Sequence, residues 1–290
     1  MKLSELMNKK IPTLSFEVFP PKTTSGYESV EKATEEIAKL QPDFMSVTYG
    51  AGGSTSDFTV SIASNIQNNM GVNTLAHLTC VKADKKTIFD TLDILKKNNI
   101  ENILALRGDI PEGFDRVMMD YQYASEMIKD IKAYGDFCIG GACYPEGHVE
   151  SSNMEEDIAH LRLKVEAGCE FLTTQMFFDN NILYNYLYKI RERGITVPIV
   201  AGIMPVTNAK QIVRSCKLSG TYLPQRFKAI VDRFGENPNA MKEAGIAYAT
   251  DQIIDLLANG VNNIHVYSMN KPEVAAAIQN NLKEIMSYQR

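Results

Sequence analysis

Only five cysteines occur in 290 residues, and none stands in a C-x-x-C pair. The odd count leaves one thiol unmatched in any disulfide scheme, so a reducing cytoplasm is the expected setting. Histidine is as scarce. The four, His77, His148, His160 and His265, form no i,i+4 pair and sit in no carboxylate-rich spacing, so no metal site is expected. No segment reaches the roughly 20 consecutive apolar residues that cross a bilayer, and no membrane association is read. The opening MKLSELMNKK has basic residues but runs into IPTLSFEVFP rather than an apolar core, so it is not expected to be a secretory signal. Positive charge is not in excess either. Thirty Lys and Arg against 35 Asp and Glu leave a formal charge of −5, which argues against a nucleic-acid partner bound by bulk electrostatics. No Pro-, Gly- or Ser-rich block divides the chain, so residues 1–290 are expected to form one domain.

What is present is a globular composition, 44% hydrophobic and 22% charged, with a regular alternation of elements. Short β-rich apolar runs begin near Thr13, Asp43, Val72, Asn102, Phe137, Glu170, Val197 and Asn262. Between them lie helical stripes such as Val30, Ala33, Ile37 and Leu40, or Ile158, Leu161 and Val165, at three-and-four spacing. Alternating strands and helices of this kind make a parallel sheet. Eight units in about this length predict an α/β fold of the (β/α)8 TIM-barrel type, with a doubly wound sheet as the alternative. A longer stretch before the last strand, containing TYLPQRFKAIVDRFG and MKEAGIAYATDQIIDLL, predicts an extra helix there.

Barrel chemistry gathers at the carboxyl ends of strands, so polar residues there carry information. Alternation in TLSFEVF sends Leu14, Phe16 and Val18 to one face and Ser15 and Glu17 to the other. With the apolar set against the helices, Glu17 faces the barrel mouth. A carboxyl group among Phe16, Val18 and Phe19 is expected to be desolvated, with a raised pKa suited to a general acid, or else paired with a buried cation. The fourth strand closes on Arg107, Gly108 and Asp109, readable as an Arg–Asp clasp or as a ligand contact. Thr48, Tyr49, His77, Thr79, Tyr144, Thr173, Thr174 and Gln175 extend the polar set. Gly50-Ala51-Gly52-Gly53-Ser54-Thr55 is neither a dinucleotide fingerprint nor a Walker loop and reads as an ordinary βα turn. The QMFF segment has no Lys, which weakens a Schiff-base aldolase.

Taken in order, FEVFPPKT, MSVTYGAGG, AHLTC, LALRGD, ACYPEGH and TTQMFFD resemble bacterial-type methylenetetrahydrofolate reductases from about Leu14 to Lys271. The resemblance implies a flavoprotein that holds FAD at the barrel's carboxyl face. It implies reduction of 5,10-methylenetetrahydrofolate to 5-methyltetrahydrofolate, with NADH or NADPH as electron donor in a ping-pong sequence. In that family pattern Glu17 matches the general acid and Asp109 the carboxylate beside the flavin. The positions matching FAD contacts are Thr48, Tyr49, Ala51, His77, Arg107, Gly108, Asp109, Ala124, Tyr144, His148, Asp157 and Lys164. Gln175, Gln211, Tyr267 and Lys271 match folate contacts. Lys271 stands where relatives often carry Arg, and Leu163 and His160 where they often carry a basic residue and Asn, so a looser hold on carboxylate and diphosphate is expected. A homo-oligomer is compatible with the resemblance, and no C-terminal S-adenosylmethionine-responsive domain is expected. The alternative reading is a flavin-binding electron-transfer subunit that takes its electrons from a partner protein.

Overall fold

The computed structural model describes residues 1–21, 23–49, 53–110, 113, 116 and 119–288, with backbone alone for 53–57. Its eight strands are β1 (Thr13–Val18), β2 (Phe44–Val47), β3 (Thr74–Thr79), β4 (Asn102–Leu106), β5 (Cys138–Cys143), β6 (Phe171–Thr174), β7 (Ile199–Ile203) and β8 (Asn263–Tyr267). All pair in parallel and close into one barrel in chain order. Every strand expected from the sequence is therefore found, and the open-sheet alternative is excluded.

Ahead of the barrel lies α1 (Leu3–Met7). The crossovers are α2 (Tyr27–Ala38), α3 (Gly53–Asn68), α4 (Lys85–Lys97), α5 (Ala124–Tyr134), α6 (Met154–Ala167) and α7 (Asn180–Glu192). Their starts are set by local chemistry: Asp84 accepts from Thr87 N at 2.7 Å ahead of α4, and Asn153 from Glu156 N at 3.0 Å ahead of α6. Three helices, α8 (Ala209–Ser219), α9 (Gln225–Phe234) and α10 (Pro238–Ala258), separate β7 from β8, and α11 (Pro272–Tyr288) follows. The extra helix expected before the last strand is present, and a second accompanies it. Together they bury a small core of their own, in which Phe227, Val231 and Met241 meet Met176, Phe178 and Val206 beside the mouth. Gly245 lets α10 pass over the Val206 carbonyl, because a Cβ there would fall 1.9 Å from that oxygen.

Alternation divides each strand between two cores. Leu14, Phe16, Val18, Met45 and Val47 face the helices in the larger one. The barrel interior begins with an apolar layer of Phe44, Leu75, Leu104, Cys138, Phe171 and Val200, closed from below by Leu3, Leu6 and Met7 of α1. Sequence periodicity did not flag α1, whose five residues are too few to show a stripe. Above this layer the interior turns polar. The register pairs Ser15 with Phe44 and His265, and Glu17 with Ser46 and Tyr267. All five cysteines are free thiols. Among the described residues no helix is long and apolar enough to cross a membrane.

Leu3 is fully buried as part of the barrel's lower closure. Leu3→Ala is expected to cost about 2–5 kcal/mol in urea unfolding. A loss within about 0.5 kcal/mol, the range of a surface substitution, would show that α1 is not part of the core.

Candidate active site

A cavity of about 900 Å³ opens at the carboxyl ends of the strands, on the scale of pockets that enclose sizeable ligands. Its floor is Glu17, 15% exposed, with His77 Nε2 3.4 Å and His265 Nε2 3.8 Å from the same carboxylate oxygen. Ser46 donates to that oxygen at 3.3 Å. The orientation expected for Glu17 is therefore correct, but its expected pKa is not. Burial pushes the carboxyl up, as reasoned from the strand. The His265 imidazole and the Ser46 hydroxyl are among the interactions that outweigh burial and hold it below the usual value. The desolvation argument used only the residues adjacent in β1, whereas the opposing groups come from β2, β3 and β8. The buried cation of the alternative reading is replaced by two imidazoles.

His77 has neither ring nitrogen in a hydrogen bond, and burial lowers its pKa to about 4, so its ring is neutral near pH 7. Thr173 Oγ1 is likewise buried without a partner on the cavity wall. Buried polar atoms left open cost free energy, so these three atoms are available to a polar ligand that enters the cavity.

One wall descends from β4 and α6. Arg107 makes a two-pronged pair with Glu150, its Nη1 at 2.9 Å from Oε2, and Arg116 joins the same carboxylate. The clasp considered between Arg107 and Asp109 is thus replaced by Arg107–Glu150, while Asp109 stands exposed on the rim beside Gly108. Asp157 and Lys164, two turns apart on α6, both line the cavity. Burial raises the Asp157 carboxyl and lowers the Lys164 amine. Lys164 Nζ donates to the Ala142 carbonyl at 2.9 Å and lies 5.8 Å above the Tyr144 ring, which meets His148 edge-on.

On the opposite side Gln175 Oε1 accepts from Met176 N at 2.9 Å. Tyr267 donates to the Thr174 carbonyl at 2.6 Å. That tyrosine crosses β7 at Gly202, where a Cβ would fall 2.4 Å from its hydroxyl oxygen, so only glycine fits. Thr48, Tyr49 and Ala124 also line the space. Ala51 lies outside the described residues. Gln211, exposed on α8, and Lys271, which donates to Thr207 Oγ1, are not among the lining residues. Among the described residues no cluster suited to a metal occurs.

A carboxylate under a polar, ligand-sized mouth is common to many barrels, and comparison with known proteins narrows the choice. The family model described as methylenetetrahydrofolate reductase matches residues 2–283. The chain belongs to the methylenetetrahydrofolate reductase family. It is 36% identical over 295 residues to methylenetetrahydrofolate reductase (NADH) 1 of Arabidopsis thaliana, covering 97% of this chain and 50% of that one. It is 33% identical over 265 residues to 5,10-methylenetetrahydrofolate reductase of Escherichia coli strain K12, covering 91% and 88%. The chain thus spans about half the length of the plant relatives and most of the bacterial one. Among solved structures, an uncharacterized Clostridium thermocellum protein shares the fold with a TM-score of 0.66 at 16% identity, covering 99% of this chain and 100% of that one.

Reading single strands gave no site role to three residues, Ser46, His265 and Glu150. Ser46 and His265 lie on inner faces that the alternation rule, applied to β2 and β8 as it was to β1, would have identified. Thr173 was noted, but not as a side chain lacking a partner. Glu150 sits in a loop where no periodicity operates, and only the fold brings it to Arg107.

The Arg107 guanidinium holds the Glu150 carboxyl down, from 4.5 to about 2. A depressed carboxyl contributes stability above its unfolded pKa and loses it as pH falls through the folded one. The stability difference between the wild type and Glu150→Gln, read by urea unfolding, should be full above about pH 5 and shrink steadily toward pH 2. A difference that stays constant across that window would contradict the pairing. Glu150 is 37% exposed, so the effect will be modest and salt-sensitive.

Proposed function

We propose that this barrel reduces 5,10-methylenetetrahydrofolate to 5-methyltetrahydrofolate, with FAD held across its carboxyl face and NADH or NADPH as electron donor. The observation that carries the reading is Glu17, a carboxyl group on the floor of a large cavity, framed by two imidazoles. The family supports the reaction. The Clostridium thermocellum barrel of the same fold, described as binding two copies of 5-methyl-5,6,7,8-tetrahydrofolic acid, supports a folate as the ligand.

The residues present fit a flavin. The unpartnered atoms of His77 and Thr173 offer polar contacts to a heterocycle, and Lys164 offers a cation to a phosphate. Thr48, Tyr49, Arg107, Gly108, Ala124, Tyr144, His148 and Asp157 would complete the hold. FAD, when bound, carries hydride from the nicotinamide to the folate. The chain's own task is to orient two planar rings and move one proton. Glu17 would give its proton to the folate nitrogen as the imidazolidine ring opens, leaving an iminium able to accept hydride. Asp109 on the rim would stabilise cationic forms of the substrate. Gln175 and Tyr267, which line the same cavity, would engage the pterin. Gln211 and Lys271, at the edge of the α8 and β8 connections, would reach a longer substrate's tail.

The experiment is anaerobic titration of the FAD-reconstituted protein, first with NADH and then with methylenetetrahydrofolate. Bleaching by NADH followed by recolouring with folate is expected. A spectrum that stays oxidised under NADH would instead favour an electron-transfer subunit dependent on a partner. Glu17→Gln should keep the bleaching step while slowing recolouring by about 10²-fold or more. Equal loss of both steps would contradict the role given to Glu17.

A further inference from the structure

If Glu17 donates a proton, it must first acquire one, yet the open site holds it as a carboxylate. The groups beneath it offer a route. Ser15 Oγ donates to the Ile264 carbonyl at 3.0 Å and lies 2.8 Å from His265 Nδ1. A serine hydroxyl has a single proton, so with that proton on Ile264 the Nδ1–H is the donor of the second contact. The exchangeable nitrogen is then Nε2. It lies 3.1 Å from Ser46 Oγ, and that hydroxyl lies 3.3 Å from Glu17 Oε2. Imidazole, hydroxyl and carboxylate form an unbroken line inside the barrel.

We propose that His265 and Ser46 form a proton relay that recharges Glu17 from beneath, resting on the reading of Glu17 as the proton donor. In the charged form Nε2–H donates to Ser46 and Ser46 donates to the Glu17 carboxylate. Transfer moves the Ser46 proton to Glu17 while Ser46 takes the proton from Nε2. The result is a neutral imidazole, an intact hydroxyl and a protonated carboxyl group, with total charge unchanged. Burial is the one influence that pushes Glu17 up. A ligand seated over the floor strips its last exposure and so pulls the proton along the line. When the mouth reopens, water at Glu17 refills the relay in reverse.

The surroundings leave His265 as the group joined to Glu17 through Ser46. Its ring is 2% exposed and stacks on Phe44 with 5.7 Å between centroids and a 5° interplanar angle, which closes the path from below. Tyr267, edge-on at 5.5 Å, is fixed to the Thr174 carbonyl, and burial holds its phenol well above the usual value. His77 faces Glu17 from β3 but is kept neutral. Both His265 and Ser46 are positioning residues, acting through Glu17.

The test uses the FAD-loaded protein, reduced by NADH and mixed with methylenetetrahydrofolate in single turnover. Ser46→Ala and His265→Asn should slow folate reduction about tenfold, less than removal of the acid itself. The deficit should widen as pH rises, since solvent protons then become the remaining supply. Ser46→Thr, which keeps a hydroxyl, should recover most of the rate, and bleaching by NADH reports that each variant is folded and loaded. Independently, carbon-13 NMR of the flavin-free chain should show the Glu17 carboxyl titrating at higher pH in His265→Asn. Slowing with an unchanged pH profile and an unmoved Glu17 titration would be a packing effect and would overturn the relay. Wild-type rates in both variants, with Glu17→Gln inactive, would overturn the relay and leave the acid in place. An active Glu17→Gln would instead remove the reading on which the relay rests.

Discussion

A carboxylate inside a protein must be surrounded by groups that make up for its lost water, and the barrel is arranged around that requirement. Glu17 sits two residues above Ser15 on the inner face of β1. The strands on either side bring Ser46 and Tyr267 level with it, and β3 adds His77 from across the interior. Parallel register makes this a layer rather than a coincidence of single contacts. Moving β2 or β3 by a residue would point an apolar side chain at the carboxylate and send the polar partner into the helix layer.

Beneath this polar layer the interior is apolar. Phe44, Phe171 and their neighbours fill it, and α1 closes it, so water reaches Glu17 from the mouth alone among the described elements. Phe171 reaches across β5 at Gly140, where a Cβ would meet its ring at 2.4 Å. The packed floor gives the polar layer a rigid base, and rigidity matters because hydrogen bonds weaken quickly with distance and angle. Closure of the barrel and chemistry at its mouth are thus one structural problem solved by two successive interior layers.

The helices between β7 and β8 extend the same logic outward. Their small core supports the Met176–Phe178 segment that follows β6, and Gln252 donates to the Phe177 carbonyl there at 2.9 Å. Gln175 is thereby held at the rim by a framework separate from the main core. The opposite rim is held by charge, through Arg107, Glu150 and Arg116. One side of the mouth is therefore set by apolar packing and the other by ion pairs that respond to pH and salt.

Much of this was legible along the chain. Alternation in β1 was enough to turn Glu17 inward, because a strand has a period of two whatever surrounds it. The eight strands and the extra helix followed from periodicity for the same reason, and the run of motifs was enough to identify the family. The protonation of Glu17 was not legible, nor was the pairing of Arg107, because both depend on side chains contributed by other strands or by a loop without periodicity. Ser46 and His265 lie 219 residues apart, and Ser15 and His265 250 apart, yet each pair shares a hydrogen bond. Local sequence determines which face a residue takes, since that is a property of its own backbone. Closure of the barrel decides what it meets there, since electrostatic and hydrogen-bond energies depend on distances through space that separation along the chain does not record.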